Sequence, residues 1–163
     1  MKMKTKRLTL YALLVALAMI FSYLESLVPM SFAVPGIKLG LPNIVIVFAL
    51  YKLGFRGAVC ISIIRVVLVS ILFGNVMSMI YSIAGAALSL AVMWLLHKIG
   101  KFSPVGVSVA GALGHNVGQV ACAMLLLETG GLVYYLAPLC VSGAIAGICI
   151  GVAGGIVVKR VKV

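Results

Sequence analysis

Stretches of about 20 mostly apolar residues, separated by short basic clusters, repeat along the chain. A helix needs about that many apolar residues to cross the hydrocarbon core of a bilayer, which is roughly 30 Å thick. With 64% hydrophobic and 9% charged residues among 163, the chain has too little polar surface for a water-soluble domain. The pattern predicts an all-α integral membrane protein.

Apolar run length, together with breaks at proline, glycine and charge, predicts a compact bundle of six transmembrane helices in a single domain, residues 1–163. The predicted spans are 8–28, 37–52, 55–73, 76–96, 105–127 and 132–158. The second span is the shortest apolar run. The first is too long for the apolar region of a cleavable signal peptide, and we expect it to remain in the mature protein.

The basic residues predict the orientation of these spans. With six crossings, eleven basic residues fall on one side of the membrane: Lys2, Lys4, Lys6, Arg7, Lys52, Arg56, Lys98, Lys101, Lys159, Arg160 and Lys162. The other side holds Lys38 and the two acids, Glu25 and Glu128. The positive-inside rule therefore predicts both termini in the cytoplasm, N-in and C-in. Because the charges form separate small clusters and not one basic face, nucleic acid is an unsuitable partner.

Small residues at four-residue spacing mark faces where membrane helices can approach closely. Spans five and six each carry such a stripe, which predicts that these two helices pack tightly: Gly106, Ala110, Gly114, Gly118 and Cys122 in span five, and Gly143, Gly147, Gly151 and Gly155 in span six. The four cysteines lack the paired spacing of a metal site or disulfide framework and are interpreted as packing residues. Residues 29–40, with two prolines and two glycines, are either a lid or a plain connection.

Arg65, at the centre of the third span, is the main candidate for a binding residue. An arginine facing lipid at that depth would cost at least about 2.5–3.5 kcal/mol, so it is expected to face the bundle interior or a hydrated cavity. Neither glutamate is expected at the same depth. An arginine without a carboxylate partner predicts a pocket for an anionic or strongly polar ligand group. The alternative is a structural arginine bonded to backbone carbonyls.

Span five brings further polar side chains to the same depth. His115 and Gln119 are four residues apart and share a helix face, with Asn116 beside them. We expect these three to contact the ligand together with Arg65, and Asn43 and Lys38 to line the entrance. For His115 a hydrogen bond that bridges two helices is an equally open interpretation.

Missing motifs narrow the function further. There is no glycine-rich phosphate loop, so the chain is not expected to use ATP by itself. No acid is predicted in mid-membrane, which excludes a carboxylate proton relay, and catalytic triads and two-carboxylate sites lack their acids. We therefore predict a protein that is not an enzyme and holds no metal or cofactor. The functions that remain are the binding of a ligand and a role that depends on partner proteins.

Three segments together carry a resemblance to a known family: residues 35–44 (PGIKLGLPNI), Arg65 with residues 72–74 (LFG), and residues 114–119 (GHNVGQ). They resemble the Gx transporter family, also labelled heptaprenyl diphosphate synthase component I, which is similar to the substrate-binding S components of energy-coupling-factor transporters. The resemblance implies an S-component-like six-helix fold in a bacterial cytoplasmic membrane. It also implies that Ala12 and Ala16, an Ala-x-x-x-Ala pair, dock a coupling subunit whose ATPases supply the energy.

Two functions follow as hypotheses. The first is a substrate-binding and transport component that holds a small anionic or amphipathic molecule and depends on partner subunits for energy. The second is a non-catalytic membrane partner in a flavin-based electron-transfer complex or in prenyl diphosphate synthesis for isoprenoids or quinones. Because the chain has no aspartate, it lacks the aspartate-rich motifs of prenyl diphosphate synthases, and its part in such a synthesis would be accessory.

Overall fold

A computed structural model describes residues 2–27 and 40–161 of the chain. Its five long helices are α1 (Lys2–Leu27), α2 (Asn43–Phe73), α3 (Val76–Ile99), α4 (Pro104–Leu126) and α5 (Val133–Arg160), and a 3-10 turn (Gly130–Leu132) precedes α5. These described residues contain no strand. All five helices are long and apolar enough to cross a membrane. The prediction of an all-helical, multi-pass membrane protein is confirmed.

The number of long helices differs from the sequence prediction because the predicted second and third spans belong to one element. Helix α2 is interrupted at Gly54, whose φ of 78° and ψ of −178° lie outside the helical region. This part of conformational space is essentially restricted to glycine. The bend separates a first arm, residues 43–53, from a second arm, residues 55–73.

The two arms of α2 fold back beside each other, as contacts at both of its ends show. At the first end, the Gly40 N–H donates a hydrogen bond to the Glu25 carboxylate near the end of α1. At the other end, the rings of Phe73 and Tyr23 lie 5.4 Å apart between centroids. A straight helix of 31 residues would be about 46 Å long, so both ends could not reach the same end of α1. Helix α2 is therefore a hairpin.

The first arm of α2 lies in the middle of the bundle. Its residues 45–50 are all buried, and they join one apolar cluster with Leu14 of α1, Leu90 of α3, Val107 of α4 and Ile150 of α5. An arm of this length rises about 16 Å, roughly half the hydrocarbon thickness. The predicted span 37–52 is thus a short central arm from Asn43 onward, and residues 37–39 lie outside the described residues.

Aromatic contacts join the bend of α2 to the C-terminal end of α3. The Tyr51 and His97 rings lie 4.3 Å apart, those of Phe55 and Trp94 lie 5.2 Å apart, and the Lys98 ammonium lies 5.2 Å from the Trp94 ring centroid. Contacts between Gly57 and Tyr11 and between Gly154 and Val47 bring the start of α1 and the end of α5 to this level. The segments with the predicted cytoplasmic charges therefore share one end of the bundle, here called the basic end.

The small residues pack as predicted on α5 but differently on α4. A methyl group built on Gly147 or Gly151 would lie 2.8 or 2.5 Å from an α4 Cα atom, so α5 and α4 do approach closely. On α4, however, Gly118 faces α3, where the Ala84 carbonyl oxygen would lie 2.8 Å from an added methyl group. The stripe on α4 was expected to face the sixth span, and that part of the prediction was wrong. The four-residue spacing of small residues predicts a helix face that allows close approach, but it does not predict which helix packs against that face.

Candidate functional site: a polar cavity within the bundle

A cavity of about 340 Å³ lies between the five helices, in the half of the bundle away from the basic end. Half of its wall residues are polar or charged: Ser22, Glu25, Ser26, Asn43, Arg65, Ser70, Ser78, Ser82, His115 and Asn116. The other half is glycine or apolar: Gly40, Pro42, Val66, Val69, Phe73, Gly74, Ala112, Gly143, Ala146 and Ile150. Its size matches a small-molecule site, which usually occupies about 300–1,000 Å³.

Arg65 lies in the cavity wall, as the sequence predicted. It is carried by the second arm of α2, and the hairpin brings it to the level of Pro42 and Asn43 at the start of the first arm. Its Nε atom is buried and has no hydrogen-bond partner within residues 2–27 and 40–161. A buried guanidinium donor without an acceptor is costly. Arg65 thus brings a cationic side chain to the cavity wall, while its Nε atom itself is enclosed.

Glu25 lies in the same wall and acts electrostatically on Arg65. The sequence analysis had placed both glutamates at other depths than Arg65, and for Glu25 that expectation was wrong. The physical reason is that the cavity extends from Arg65 to the end of the bundle where α1 and α2 end, since its wall also includes Ser26, Phe73 and Gly74. The same carboxylate accepts the hydrogen bond from the Gly40 N–H and ties α1 to the start of α2.

The two adjacent polar residues on α4 have different surroundings. The Asn116 amide donates a hydrogen bond of 2.6 Å to the Leu139 carbonyl oxygen of α5, so it bridges two helices as well as lining the cavity. His115 lines the cavity too, and its Cε1 atom would lie 3.0 Å from a methyl group built on Gly85 of α3. Asn116 therefore bridges α4 and α5, and for His115 both contact with a ligand and a helix-bridging hydrogen bond stay predictions.

Of the remaining predicted ligand-binding residues, two are described, Asn43 and Gln119, and Asn43 lines the cavity. Gln119 is not in its wall; its Cγ atom would lie 2.7 Å from a methyl group on Gly85, so the side chain packs against α3. His115 and Gln119 both pack near Gly85, but within this pair His115 alone also lines the cavity. Lys38 lies outside the described residues.

Several wall residues were not predicted as site residues. The first group, Ser22, Glu25 and Ser26, follows a spacing of three and four residues along α1, which is the signature of one polar helix face. That signal was available in the sequence. Ser78 and Ser82 of α3 continue at three- to four-residue spacing to Gly85 and Ser89, which pack against α4. Serine occurs both in cavity walls and in helix contacts, so the spacing of serines alone does not predict which of them line the cavity.

The predicted docking pair lies on the outer face of α1. Ala12 and Ala16 are both exposed, whereas Leu14 and Ala18 of the same helix are buried. The pair is therefore accessible to lipid or to a partner helix. Within the described part of the chain, all four cysteines are free, and no group of three or more metal-ligating side chains occurs.

The chemistry of the cavity is that of an amphipathic site. Arg65 supplies a cation and Glu25 an anion, while serine hydroxyls and two amides add hydrogen-bonding groups. Val69, Phe73 and Ile150 add apolar surface to the same wall. A ligand with a charged or polar head and an apolar body would match both parts, because a few placed polar groups orient a ligand whose body is buried against apolar surface.

Comparison with known families shows what the chain is related to. A family model described as heptaprenyl diphosphate synthase component I matches residues 14–157. The chain belongs to this family. In this component I family protein, the matched segment contains every residue of the cavity wall and Ala16 but begins after Ala12. No curated protein and no solved structure matches the chain.

Proposed function

We propose that this component I family protein binds a small anionic or amphipathic molecule in the cavity and delivers it with the help of partner subunits that supply energy. The observation that supports the proposal is Arg65, a charged side chain in the wall of a cavity of about 340 Å³, whose enclosed Nε has no hydrogen-bond partner within residues 2–27 and 40–161. A charged side chain inside a membrane bundle typically marks a ligand or ion site. The resemblance to S components, which capture small molecules for a separate ATPase module, agrees with this assignment.

The proposal includes a membrane arrangement. We infer one domain of six transmembrane segments, because the hairpin of α2 supplies two segments and the other four helices supply one each. Its basic end would face the cytoplasm of a bacterium, with both termini inside, since positively charged loops remain on that side. The cavity would then lie in the outer half of the membrane.

Replacing Arg65 with leucine tests ligand binding. We expect Arg65→Leu to lose a small molecule that co-purifies with the wild-type protein, because the anionic group of the ligand loses its cationic donor. The measurement is mass spectrometry of small molecules extracted from protein purified in mild detergent. Arg56→Leu is the matched control, since Arg56 is exposed near the bend of α2 and outside the cavity wall. Equal ligand recovery with Arg65→Leu, from protein of unchanged helicity and monodispersity, would contradict the proposal.

The family description favours a second candidate function. A component I of a prenyl diphosphate synthase implies a partner, so the protein would be a non-catalytic membrane subunit of a complex for isoprenoid or quinone synthesis. The resemblance to the Gx transporter family adds a flavin-based electron-transfer complex as a variant of this role. In that case the polar cavity would hold helices in register and carry no small molecule. Prenyl-transfer enzymes or flavoproteins would then co-purify in place of a coupling subunit with ATPases.

The outer face of α1 provides the test for partner docking. We expect Ala12→Leu with Ala16→Leu to reduce the recovery of partner proteins, because the added side chains prevent close approach of another helix. The matched control is Ala87→Leu with Ala91→Leu, a pair of exposed alanines at the same spacing on α3. The measurement is affinity purification from native membranes with protein mass spectrometry. An equal loss of partners in both double variants would argue against α1 as the docking face.

A further inference from the structure

The basic end of the bundle carries positive charge that the acidic side chains of the chain do not balance. The whole sequence has 13 lysines and arginines and two acidic residues. Glu25 lies in the cavity wall, in the half of the bundle away from this end. Glu128 follows α4, which begins at the basic end and, with 23 residues, rises about 34 Å. The negative charge that balances the basic end therefore comes largely from other molecules.

One lysine at this end is held against an aromatic ring. The Lys98 ammonium lies 5.2 Å from the centroid of the Trp94 ring, which is within the range of a cation–π contact. The Phe55 ring, directly after the bend of α2, lies 5.2 Å from the same ring. Because these contacts restrict the side chain of Lys98, its binding to an anion loses less side-chain freedom than that of an unrestrained lysine.

A second lysine borders the same patch of the surface. The rings of Tyr51, in the last turn before the bend of α2, and His97, in the last turn of α3, lie 4.3 Å apart. Lys52 follows Tyr51 and Lys98 follows His97 in the sequence. This ring contact therefore brings the two lysines to neighbouring positions on α2 and α3. Since lysines bind phosphate groups as point charges, the two can act on one phosphate.

The patch continues into a surface that faces lipid. Phe55 and Trp94 are exposed, and so are Leu95 and Ile99 in the last two turns of α3. A phospholipid has the same order of parts, since its charged head group adjoins apolar chains. A free anion would match the lysines alone, and an acidic protein surface would leave the apolar side chains without a counterpart. Tryptophan and lysine are both common at the level of lipid head groups.

We propose that the patch formed by Lys52, Phe55, Trp94 and Lys98 binds an anionic phospholipid. The two lysines bind the phosphate of its head group, and the exposed rings contact its acyl chains. Basic pockets between membrane helices are known to bind anionic head groups. The inference concerns the basic end and does not depend on ligand binding in the cavity, so the two proposals can fail independently.

Trp94 is the single tryptophan of the chain and therefore reports which lipid lies beside it. The full chain is reconstituted into vesicles of phosphatidylcholine with an increasing share of phosphatidylglycerol whose brominated acyl chains quench tryptophan fluorescence. A second series uses phosphatidylcholine with the same brominated chains. Comparison of the two quenching curves gives the relative affinity of the two head groups beside Trp94. We expect phosphatidylglycerol to bind about fivefold more tightly in the wild-type protein, the gain that one basic residue provides near an anionic surface.

Removing the two lysines tests where the preference arises. Lys52→Gln with Lys98→Gln should reduce the preference to less than about twofold. The matched control is Lys159→Gln with Arg160→Gln, which removes the same charge from the last turn of α5 at the same end of the bundle. The control should keep most of the wild-type preference, because it lowers the general charge of the basic end and leaves the patch unchanged.

Three outcomes would overturn the inference. Equal quenching by the two lipids in the wild-type protein would show that the patch does not select an anionic lipid, and would leave the acidic surface of a partner protein as the source of negative charge. Equal loss of preference in the two double variants would show a diffuse surface charge and no site. Displacement of the brominated phosphatidylglycerol by inorganic phosphate at constant ionic strength would show a site for a free anion. The first and third outcomes are read from the wild-type protein, so poor folding of a variant does not prevent the decision.

Discussion

Individual glycines determine how closely the helices of this protein approach. Gly118 of α4 lies against Ala84 and Gly85 of α3, so close that a methyl group built on it would be 3.0 Å from the Gly85 Cα atom. Both neighbours are backbone atoms, which cannot move aside as a flexible side chain can. In lipid, helices associate through such close packing, because burying apolar side chains gains little there. The α3–α4 contact therefore depends on the absence of a side chain at this position.

We expect Gly118→Ala to lower the free energy of unfolding by about 1–3 kcal/mol, as overpacking in a close-packed interior does. The measurement is unfolding of the detergent-purified protein, followed by circular dichroism. Gly106→Ala is the control on the same helix, since an added methyl group there would meet no heavy atom nearer than 3.8 Å. It should leave stability unchanged or slightly raised, given the better helix propensity of alanine. Equal effects of the two substitutions would refute the close-contact explanation.

Among the elements, α2 makes the largest contribution to the site. Its hairpin places a buried apolar arm in the centre of the bundle and brings Asn43 and Arg65 to one cavity, although 22 residues of helix would otherwise separate them by about 33 Å. The reversal occurs at Gly54, whose backbone conformation a residue with a Cβ atom adopts only at a cost. The geometry of the cavity thus depends on a residue at the other end of the bundle.

Gly54→Ala should destabilise the protein by about 1–3 kcal/mol, because the cost is conformational; no atom lies within 4 Å of a methyl group built there. Gly131→Ala is the control, since an added methyl group there meets only a Thr129 atom at 3.9 Å and no positive φ is required. Thermal unfolding in detergent compares the two variants. Unchanged stability of Gly54→Ala would show that the bend tolerates an ordinary residue.

For the whole molecule, the question is how many times the chain crosses the membrane. Five helices that each crossed once would place the termini on opposite sides. The start of α1 and the end of α5 instead lie at the same end of the bundle, because the hairpin of α2 reverses the chain once more. The basic clusters at that end agree with a cytoplasmic position under the positive-inside rule.

Cysteine labelling in membrane vesicles of known orientation tests this topology. In a variant whose native cysteines are replaced by serine, we expect Thr5→Cys and Val161→Cys to react with a membrane-impermeant maleimide only from the cytoplasmic side. Thr129→Cys, in the connection between α4 and α5, should react only from the outside and serves as the control for vesicle orientation. Labelling of positions 5 and 161 from opposite sides would exclude an even number of crossings.

Much of the element pattern could be predicted from the sequence. The predicted spans 76–96 and 105–127 differ from α3 and α4 by three residues or fewer at each end, because proline, glycine and capping residues interrupt the apolar runs locally. The Asn75 side chain accepts a hydrogen bond from the Ser78 N–H at the start of α3, and Ser103 accepts one from the Gly106 N–H at the start of α4. Such signals act within a few residues.

The candidate site was only partly predictable. Arg65 could be assigned to the interior because a charge at mid-membrane is costly whatever the fold. The presence of Glu25 in the same cavity wall, and the packing of Gln119 against α3, depend on how α1 packs beside α2 and on the rotation of α4 about its axis. Neither quantity is encoded by the spacing of residues within one helix.

The sequence by itself determined that this is a helical membrane protein with its basic residues sorted toward one side and an arginine in its interior. Those properties follow from bilayer thickness and from the cost of placing charge in lipid, which act on each segment separately. Only the tertiary structure decided that two predicted spans form a hairpin at Gly54, that the glycines of α4 face α3, and that Glu25 and Arg65 share a cavity. These features depend on which faces of distant segments meet, because packing and electrostatic contacts between helices arise only once the bundle has assembled.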